Sequence, residues 1–339
     1  MLKKSQVLAL KYRPQVFEDL IGQEIVAQTI FNSIKLNKVP NAYLFNGIRG
    51  VGKTTIARIV AKSLNCLNGI DKLCKDDLCE NCSAISNSNH IDVLEMDAAS
   101  KTGVDDVRDL IEFSRYGPTS AKYKIFIVDE VHQMSKAAFN ALLKTLEEPP
   151  QYLKFIFATT EIKKIPVTII SRCQRFNLNR VSIKVLFDHL KKISKIEDGK
   201  ISDSAIKLIA KASTGSVRDA ISLLDRALVN QHVSEKEVDE DTVRKMLGVA
   251  DRSKILELLK FIFDGNQKKS ITSLRQMIDE GIDVVNLKND IRKNRIKALV
   301  IFLLIMLIAQ SILLVPSYYA GWIRADNYYD SKLERRKGY

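Results

Sequence analysis

The eight residues GIRGVGKT, positions 47–54, constrain the fold of this chain more than any other stretch. Gly47, Gly52, Lys53 and Thr54 fit the GxxxxGK[ST] pattern of a phosphate-binding loop. Its small residues let successive backbone N–H groups curl around an anion. The loop follows a short apolar run, Ala42 to Phe45, that reads as a buried strand. From Ile56 the apolar positions Ile59, Val60, Leu64 and Leu67 recur at helical spacing. A strand, a glycine-rich turn and a helix N-terminus in that order form a nucleotide site, because the helix end adds partial positive charge where the phosphates sit. Lys53 is then expected to reach the β and γ phosphates, and the Thr54 hydroxyl to coordinate Mg2+. Gly50 and Thr55 belong to the same cradle.

A second element supplies the acids. In YKIFIVDEVH, Ile125 to Val128 read as a strand buried on both faces, ending in Asp129 and Glu130. Asp129 is expected to hold Mg2+, directly or through water, and Glu130 to polarise the attacking water. HIDVLEMDA, LKFIFATTE and CQRFNL read as further strands with helical patterns between them, and Thr159 and Thr160 close the fourth. A helix from Ala137 carries Phe139, Leu142, Leu143 and Leu146 on one face and stops at Pro149 and Pro150. The fold class is therefore α/β, a P-loop NTPase core on a parallel sheet, with the carboxylates at strand C-termini where such sheets place their chemistry. A hydroxyl at Thr159 would lie near the γ-phosphate or the water; strand-end capping is the plainer alternative.

The chain's 339 residues exceed one ordinary core and imply at least two domains. Lysine and arginine outnumber the acids by 53 to 40, a net charge of +13 that would attract polyphosphate or nucleic acid without naming either. The opening MLKKSQVLALKYRP has no apolar core of signal-peptide length, so the N-terminal part is expected to be cytosolic. Four of the five cysteines, Cys66, Cys74, Cys79 and Cys82, fall within one short insert. Four thiolates with a closing CxxC suit tetrahedral Zn2+ better than a disulfide framework, with unliganded thiols or a redox pair as the alternative.

LALKYRPQVFEDLIGQE, HIDVLEMDAAS, GVDDVRDLIE, NALLKTLEEPP, SRCQRFNL and TGSVRDAISLLDRAL together resemble the gamma/tau clamp-loader ATPases of bacterial DNA polymerase III, members of the AAA+ superfamily. The resemblance covers about residues 11–290. It implies that Arg172 in SRC is an arginine finger offered to the nucleotide of a neighbouring subunit. It implies further that Arg218 is a second sensor arginine reaching from a lid to the phosphates of its own subunit. Ser216 and Asp219 would cap the helix that carries Arg218. The family also places adenine near Tyr12, Arg13 and Pro14, and makes the cysteine insert a structural zinc module. There the middle spacing, four residues between Cys74 and Cys79, is wider than the family's usual two, and Cys173 reads as a packed residue.

The domain organisation that follows is a nucleotide-binding domain over 1–178 with its zinc insert at 66–82, and a helical lid over 179–231. A partial oligomerisation collar over 232–290 and an atypical tail over 291–339 complete it. Residues 298–315 are eighteen uncharged residues, about 27 Å as a helix and near the apolar thickness of a bilayer. Arg292, Lys293, Arg295 and Lys297 precede them, and Tyr318, Tyr319 and Trp322 follow, as at membrane interfaces. A membrane tether and a collar helix buried on all sides are both open, and a truncated or misjoined reading frame would also account for the departure from the family. The expected cofactors are ATP, Mg2+ and Zn2+. The expected partners are the other subunits of a hetero-oligomeric loader ring, a sliding clamp and primed DNA, gripped through its phosphates. A non-hydrolysing structural subunit of the same loader and a branch-migration helicase are the competing functions.

Overall fold

The computed structural model describes residues 7–100, 103–234, 237–248 and 252–279. The chain divides into two compact units, the first running to Val243 and the second from Arg244.

The first unit opens with a short helix α1 (Leu8–Lys11) and then α2 (Glu24–Lys35), β1 (Ala42–Asn46) and α3 (Lys53–Asn65). After the cysteine insert come α4 (Glu80–Ser86), β2 (Val93–Asp97), α5 (Val104–Ser114) and β3 (Lys124–Asp129). Next are α6 (Lys136–Glu147), β4 (Leu153–Thr159), α7 (Val167–Ile170) and β5 (Gln174–Asn177). The five strands pair in parallel in the order β2-β3-β4-β1-β5. The inner strands are mostly apolar, and β4 is buried along its whole length, Lys154 included, as a sheet covered on both faces requires. The edge strand β5 carries exposed Gln174 and Arg175, which suit an edge.

Side chains alternate across the sheet. Tyr43 and Phe45 join Ile30, Ile56, Val60, Ile127 and Ile156 on the face covered by α2 and α3. Leu44, Phe126, Phe155 and Phe157 meet Phe139, Leu142 and Leu146 of α6 on the other. Truncating one of these fully buried phenylalanines to alanine should cost about 3–5 kcal/mol, from lost transfer energy plus a cavity. The helix α6 starts where Ser135 accepts from the Ala138 N–H at 3.1 Å, and the prolines at 149 and 150 end it.

The lid follows as α8 (Ile183–Ile196), α9 (Asp203–Ala212) and α10 (Val217–Ser234). Ser182 and Ser202 cap the first two through their hydroxyls, and Leu186, Leu190, Ile206, Ile209 and Leu224 form the buried interior. Helix α1 and Tyr12 bond to the lid helices. The Leu8 N–H donates to Asp225 at 3.2 Å, and Lys11 and the Tyr12 hydroxyl both reach Glu197.

Helix α11 (Glu240–Leu247) runs through the division at Val243. In the second unit α12 (Arg252–Phe263) and α13 (Gln267–Asp279) pack through Ile255, Leu258, Leu259 and Met277. Among the described residues no helix is long and apolar enough to cross a membrane. The segment 298–315 lies outside the described residues, as do the remainder of the tail and the last part of the expected collar.

Candidate nucleotide-binding site

The site lies at the C-terminal ends of β1, β3 and β4. The connection leaving β1 runs toward β2, whereas that leaving β4 runs to β5 on the opposite side of β1. Adjacent strands whose connections diverge leave a crevice between them, the usual ligand position in an open parallel sheet. The phosphate loop rises from β1 into that crevice, and the Gly47 N–H ties it to β4 by donating to the Thr159 carbonyl at 3.2 Å.

Two glycines of the loop need left-handed backbone, Gly50 at φ +75° and Gly52 at φ +105°. Beyond Gly52, Lys53 opens α3 and is buried. Its Nζ donates to the carbonyls of Gly47 and Ile48 at 3.1 and 3.2 Å, so the ammonium stands over the loop itself. Burial pulls the Lys53 pKa down, while Glu130 and Asp129 pull it up and Arg49 adds repulsion. The Thr54 hydroxyl donates to Asp129 Oδ2 at 2.5 Å. Cis oxygen ligands of an octahedral Mg2+ stand about 2.9 Å apart, so these two oxygens fit such an ion after a small separation.

Glu130 follows in left-handed backbone, φ 46°, which turns its side chain toward the end of β4. Its Oε2 accepts from the Thr160 N–H at 3.3 Å and the Thr160 hydroxyl at 3.0 Å, and His132 Nδ1 lies 3.4 Å away. Thr159, the hydroxyl expected near the γ-phosphate, is fully buried. Its Oγ1 pairs with His132 Nδ1 at 3.1 Å and accepts from the Glu161 N–H at 3.0 Å. The next hydroxyl, Thr160, is the one that meets Glu130. His132 was not legible as part of this network, since a histidine after an acidic pair carries no spacing signal of its own.

Arginines converge on the same loop. Arg13 Nε donates to Thr55 Oγ1 at 3.2 Å. Burial lowers the Arg13 pKa, and Arg58 and Arg218 reinforce the effect against Glu95 and Asp129. Arg218 heads α10, and its backbone N–H donates to the Gly50 carbonyl at 3.2 Å, so the lid touches the loop directly. Ser216 accepts from the Asp219 N–H at 3.2 Å, in the expected capping direction. Arg172 is placed differently. Its guanidinium donates to the Thr168 carbonyl at 2.6 Å and pairs with Glu147, so neither partner belongs to the phosphate loop.

The four insert cysteines come together. The Sγ atoms of Cys66, Cys74, Cys79 and Cys82 all lie within 4.8 Å of one another, despite the wide middle spacing. Cys66 and Cys74 Sγ are 3.6 Å apart, close to the edge of about 3.8 Å that Zn–S bonds of 2.3 Å give a tetrahedron. Burial pushes the Cys82 thiol up. At Cys79 burial is outweighed by the N–H groups of Cys82 and Leu67 and by neighbouring thiols, which bring the thiol down to about 7. Asn65 fastens the module to the sheet: its side chain exchanges hydrogen bonds with the backbone of Tyr123 at 2.9 Å each, and its carbonyl accepts from Asn81. Cys173 stands apart from the cluster, donating to the Ile169 carbonyl, and burial pushes it up to about 12.

Comparison with known proteins agrees along the chain. The family described as DNA polymerase III, delta subunit, matches residues 22–182. The clamp loader subunit ATPase lid domain matches 186–231, and gamma and tau domain III matches 238–305. The gamma subunit of Buchnera aphidicola subsp. Schizaphis graminum is 42% identical over 283 residues, 83% of this chain and 77% of its own length. The tau/gamma subunit of Haemophilus influenzae is 43% identical over 82% of this chain and 40% of its own length, and the tau subunit of Escherichia coli 42% over 82% and 43%. The chain thus spans less than half of the length of those two longer relatives. Among solved structures, the Thermotoga maritima RuvB Holliday junction branch migration motor superposes with a TM-score of 0.54 at 22% identity, covering 74% of this chain and 79% of its own. That likeness is one of fold, a parallel P-loop core followed by a helical lid. By sequence over four-fifths of its length, this chain belongs to the DNA polymerase III gamma/tau family.

Proposed function

We propose that the chain is an ATP-hydrolysing subunit of a bacterial DNA polymerase III clamp loader, which spends nucleotide to open a sliding clamp and place it on primed DNA. The observation that carries this reading is the pairing of Thr54 with Asp129 in the crevice beneath a buried Lys53, in a chain of the gamma/tau family. A subunit that only shaped the ring would not need the phosphate lysine, the hydroxyl and the carboxylate together.

In this reading Lys53 neutralises the β and γ phosphates, the loop N–H groups hold their oxygens, and Thr54 and Asp129 hold Mg2+. The cation supplies charge neutralisation for the leaving phosphates. Glu130 orients the water once it turns from Thr160, and Arg218 closes the lid on the γ-phosphate. Arg172, exposed just after α7, completes the crevice of the neighbouring subunit. Cys66, Cys74, Cys79 and Cys82 around Zn2+, with Asn65 beneath them, form a structural module, because four protein ligands leave no open position for catalysis.

Partners follow from the same reading: further loader subunits in a ring, the clamp, and DNA held through its phosphates with little sequence choice. Replication places the chain in the cytoplasm. The match to domain III of gamma and tau extends to residue 305, so the family likeness reaches the first residues of the apolar stretch at 298–315.

ATP turnover by the reconstituted loader, measured with and without clamp and primed DNA, tests the proposal. Stimulation by both together is expected, and Lys53→Ala should weaken nucleotide binding by tenfold or more, on the order of one lost charge-assisted contact. Turnover indifferent to clamp and DNA would remove the loader reading.

A further inference from the structure

Lys62 lies on α3, the helix that begins with the phosphate lysine, yet it bonds to no residue of the phosphate loop and is 1% exposed. Among the described residues it makes no ion pair with a carboxylate. Its Nζ donates to the Gln15 carbonyl at 3.0 Å, to Gln15 Oε1 at 3.1 Å and to the Cys74 carbonyl at 3.4 Å. Burial lowers the Lys62 pKa, and the groups that oppose this are the four cysteines of the insert. A buried ammonium needs a counter-charge. Four thiolates around a divalent cation carry a net charge of about −2, and such a centre needs a cation beside it for the same reason.

The contacts of Lys62 continue to the nucleotide site. Gln15 Nε2 donates to the Arg13 carbonyl at 3.3 Å, and Arg13 Nε donates to Thr55 of the phosphate loop at 3.2 Å. Gln15 Oε1 also accepts from the hydroxyl of Ser86, the last residue of the helix that carries Cys82. The peptide at Cys74, the ammonium of Lys62, the amide of Gln15 and the backbone carbonyl of Arg13 thus form one hydrogen-bonded path, which the side chain of Arg13 itself carries on to Thr55.

We propose that Lys62 is the counter-charge of the metal–thiolate cluster and that, through Gln15, metal occupancy fixes Arg13 against the phosphate loop, so that loading the cluster raises affinity for nucleoside triphosphate. The inference rests on the zinc reading of the cysteine cluster. Lys62 and Gln15 are positioning residues: neither touches nucleotide, and both act through Arg13. The path is local to the first unit and involves no neighbouring subunit, so the coupling belongs to the chain by itself.

The test uses the full chain as purified, its zinc measured by metal analysis and its release followed with a thiol-modifying mercurial and a colorimetric zinc indicator. Nucleotide affinity is read with a fluorescent ATP analogue, before and after chelator treatment and again after Zn2+ is restored. Wild type should hold one zinc and lose nucleotide affinity about tenfold when stripped, recovering on reloading. Lys62→Met should release zinc about 10–100-fold faster, the range for losing a partner around a metal's ligands, and Lys62→Arg should restore much of the retention. Gln15→Ala should keep its zinc but bind nucleotide as stripped wild type does, and stripping it should change affinity no further. That non-additivity separates coupling from general loosening, which would make the losses multiply. Wild type that neither contains nor takes up zinc would overturn the zinc reading and this inference with it. Wild type with zinc whose nucleotide affinity ignores stripping, or a Gln15→Ala protein that still responds to it, would overturn this inference alone.

Discussion

The hydroxyl of Thr54 donates to Asp129 Oδ2 at 2.5 Å, joining the first turn of α3 to the end of β3. A phosphate loop and an acidic strand end fall far apart in sequence, and the sheet order β3-β4-β1 brings them to the same crevice. Both oxygens suit a hard cation, so their loss should be felt through Mg2+. Thr54→Ala and Asp129→Asn should each raise the Mg2+ concentration needed for half-maximal turnover and lower the maximal rate, by about a hundredfold for Asp129→Asn. Nucleotide binding without Mg2+ should change little. A Mg2+ titration of steady-state hydrolysis checks this, and an unshifted midpoint in both variants would contradict the assignment.

Arg172 is expected to act on a neighbour's nucleotide and not on its own. The structure holds it with Glu147 and the Thr168 carbonyl on an exposed surface. Arg172→Ala should therefore leave nucleotide affinity of the isolated chain unchanged. In the assembled, DNA-bound loader it should slow hydrolysis by about a thousandfold at the crevice it faces, the scale of arginine fingers in related enzymes. Loss of nucleotide affinity in the isolated chain would place Arg172 in its own site instead.

The phosphate loop, the acids after β3 and the parallel sheet were all legible because each is local: a spacing, an apolar run, a helix start. Less legible were groups whose partners come from distant segments. Gly50 reads as a phosphate-cradle glycine, yet its carbonyl accepts from Arg218 of the lid, a contact that no window of sequence contains. Thr159 and Thr160 are indistinguishable as strand-end hydroxyls. Only the left-handed turn at Glu130 decides that Thr160 holds the carboxylate and that Thr159 is buried against His132. Lys62 and Lys124 are both buried and bonded to carbonyls of other segments, which no local pattern announces. The wide spacing after Cys74 puts one ligand in doubt, and the turn before α4 closes that gap so that all four thiols meet.

Asp92, fully buried before β2, holds the loop that leads into β3. It accepts from the N–H groups of Thr119, Ser120 and Ala121 at 2.8, 2.7 and 3.0 Å, and from the Ser120 hydroxyl. Burial opposes its charge, but these donors outweigh it and hold its pKa below the usual carboxylate value. The unfolded chain therefore binds this proton more readily than the folded one. The stability contributed is complete above the ordinary carboxylate range near 4 and is lost as the pH falls through the lower folded value. Asp92→Asn should cost about 3 kcal/mol at pH 7, the order of charge-assisted bonds to a buried acceptor. Urea midpoints for both proteins at neutral and acid pH check this: the gap should narrow below about pH 4, and a gap that widens there would reverse the sign assigned to Asp92.

Gly50 gives the most direct test of contact between lid and loop. A Cβ built there would stand 2.1 Å from Ser216 Oγ and 3.2 Å from Arg218 Cβ, and the backbone is left-handed at φ +75°. Gly50→Ala therefore meets two separate penalties, about 1 kcal/mol for the backbone and a clash with the cap of α10. Ser216→Ala alone should cost about 1 kcal/mol by losing the cap to Asp219. Combined with Gly50→Ala it also removes the oxygen that the new methyl strikes. The double variant should then be more stable than the sum of the singles predicts, by about 1 kcal/mol or more, a coupling expected only of residues in contact. Its affinity for a fluorescent ATP analogue should likewise exceed that of Gly50→Ala. Chemical unfolding of the four proteins in one cycle decides the matter, since strict additivity would mean that the lid does not rest on the phosphate loop in solution.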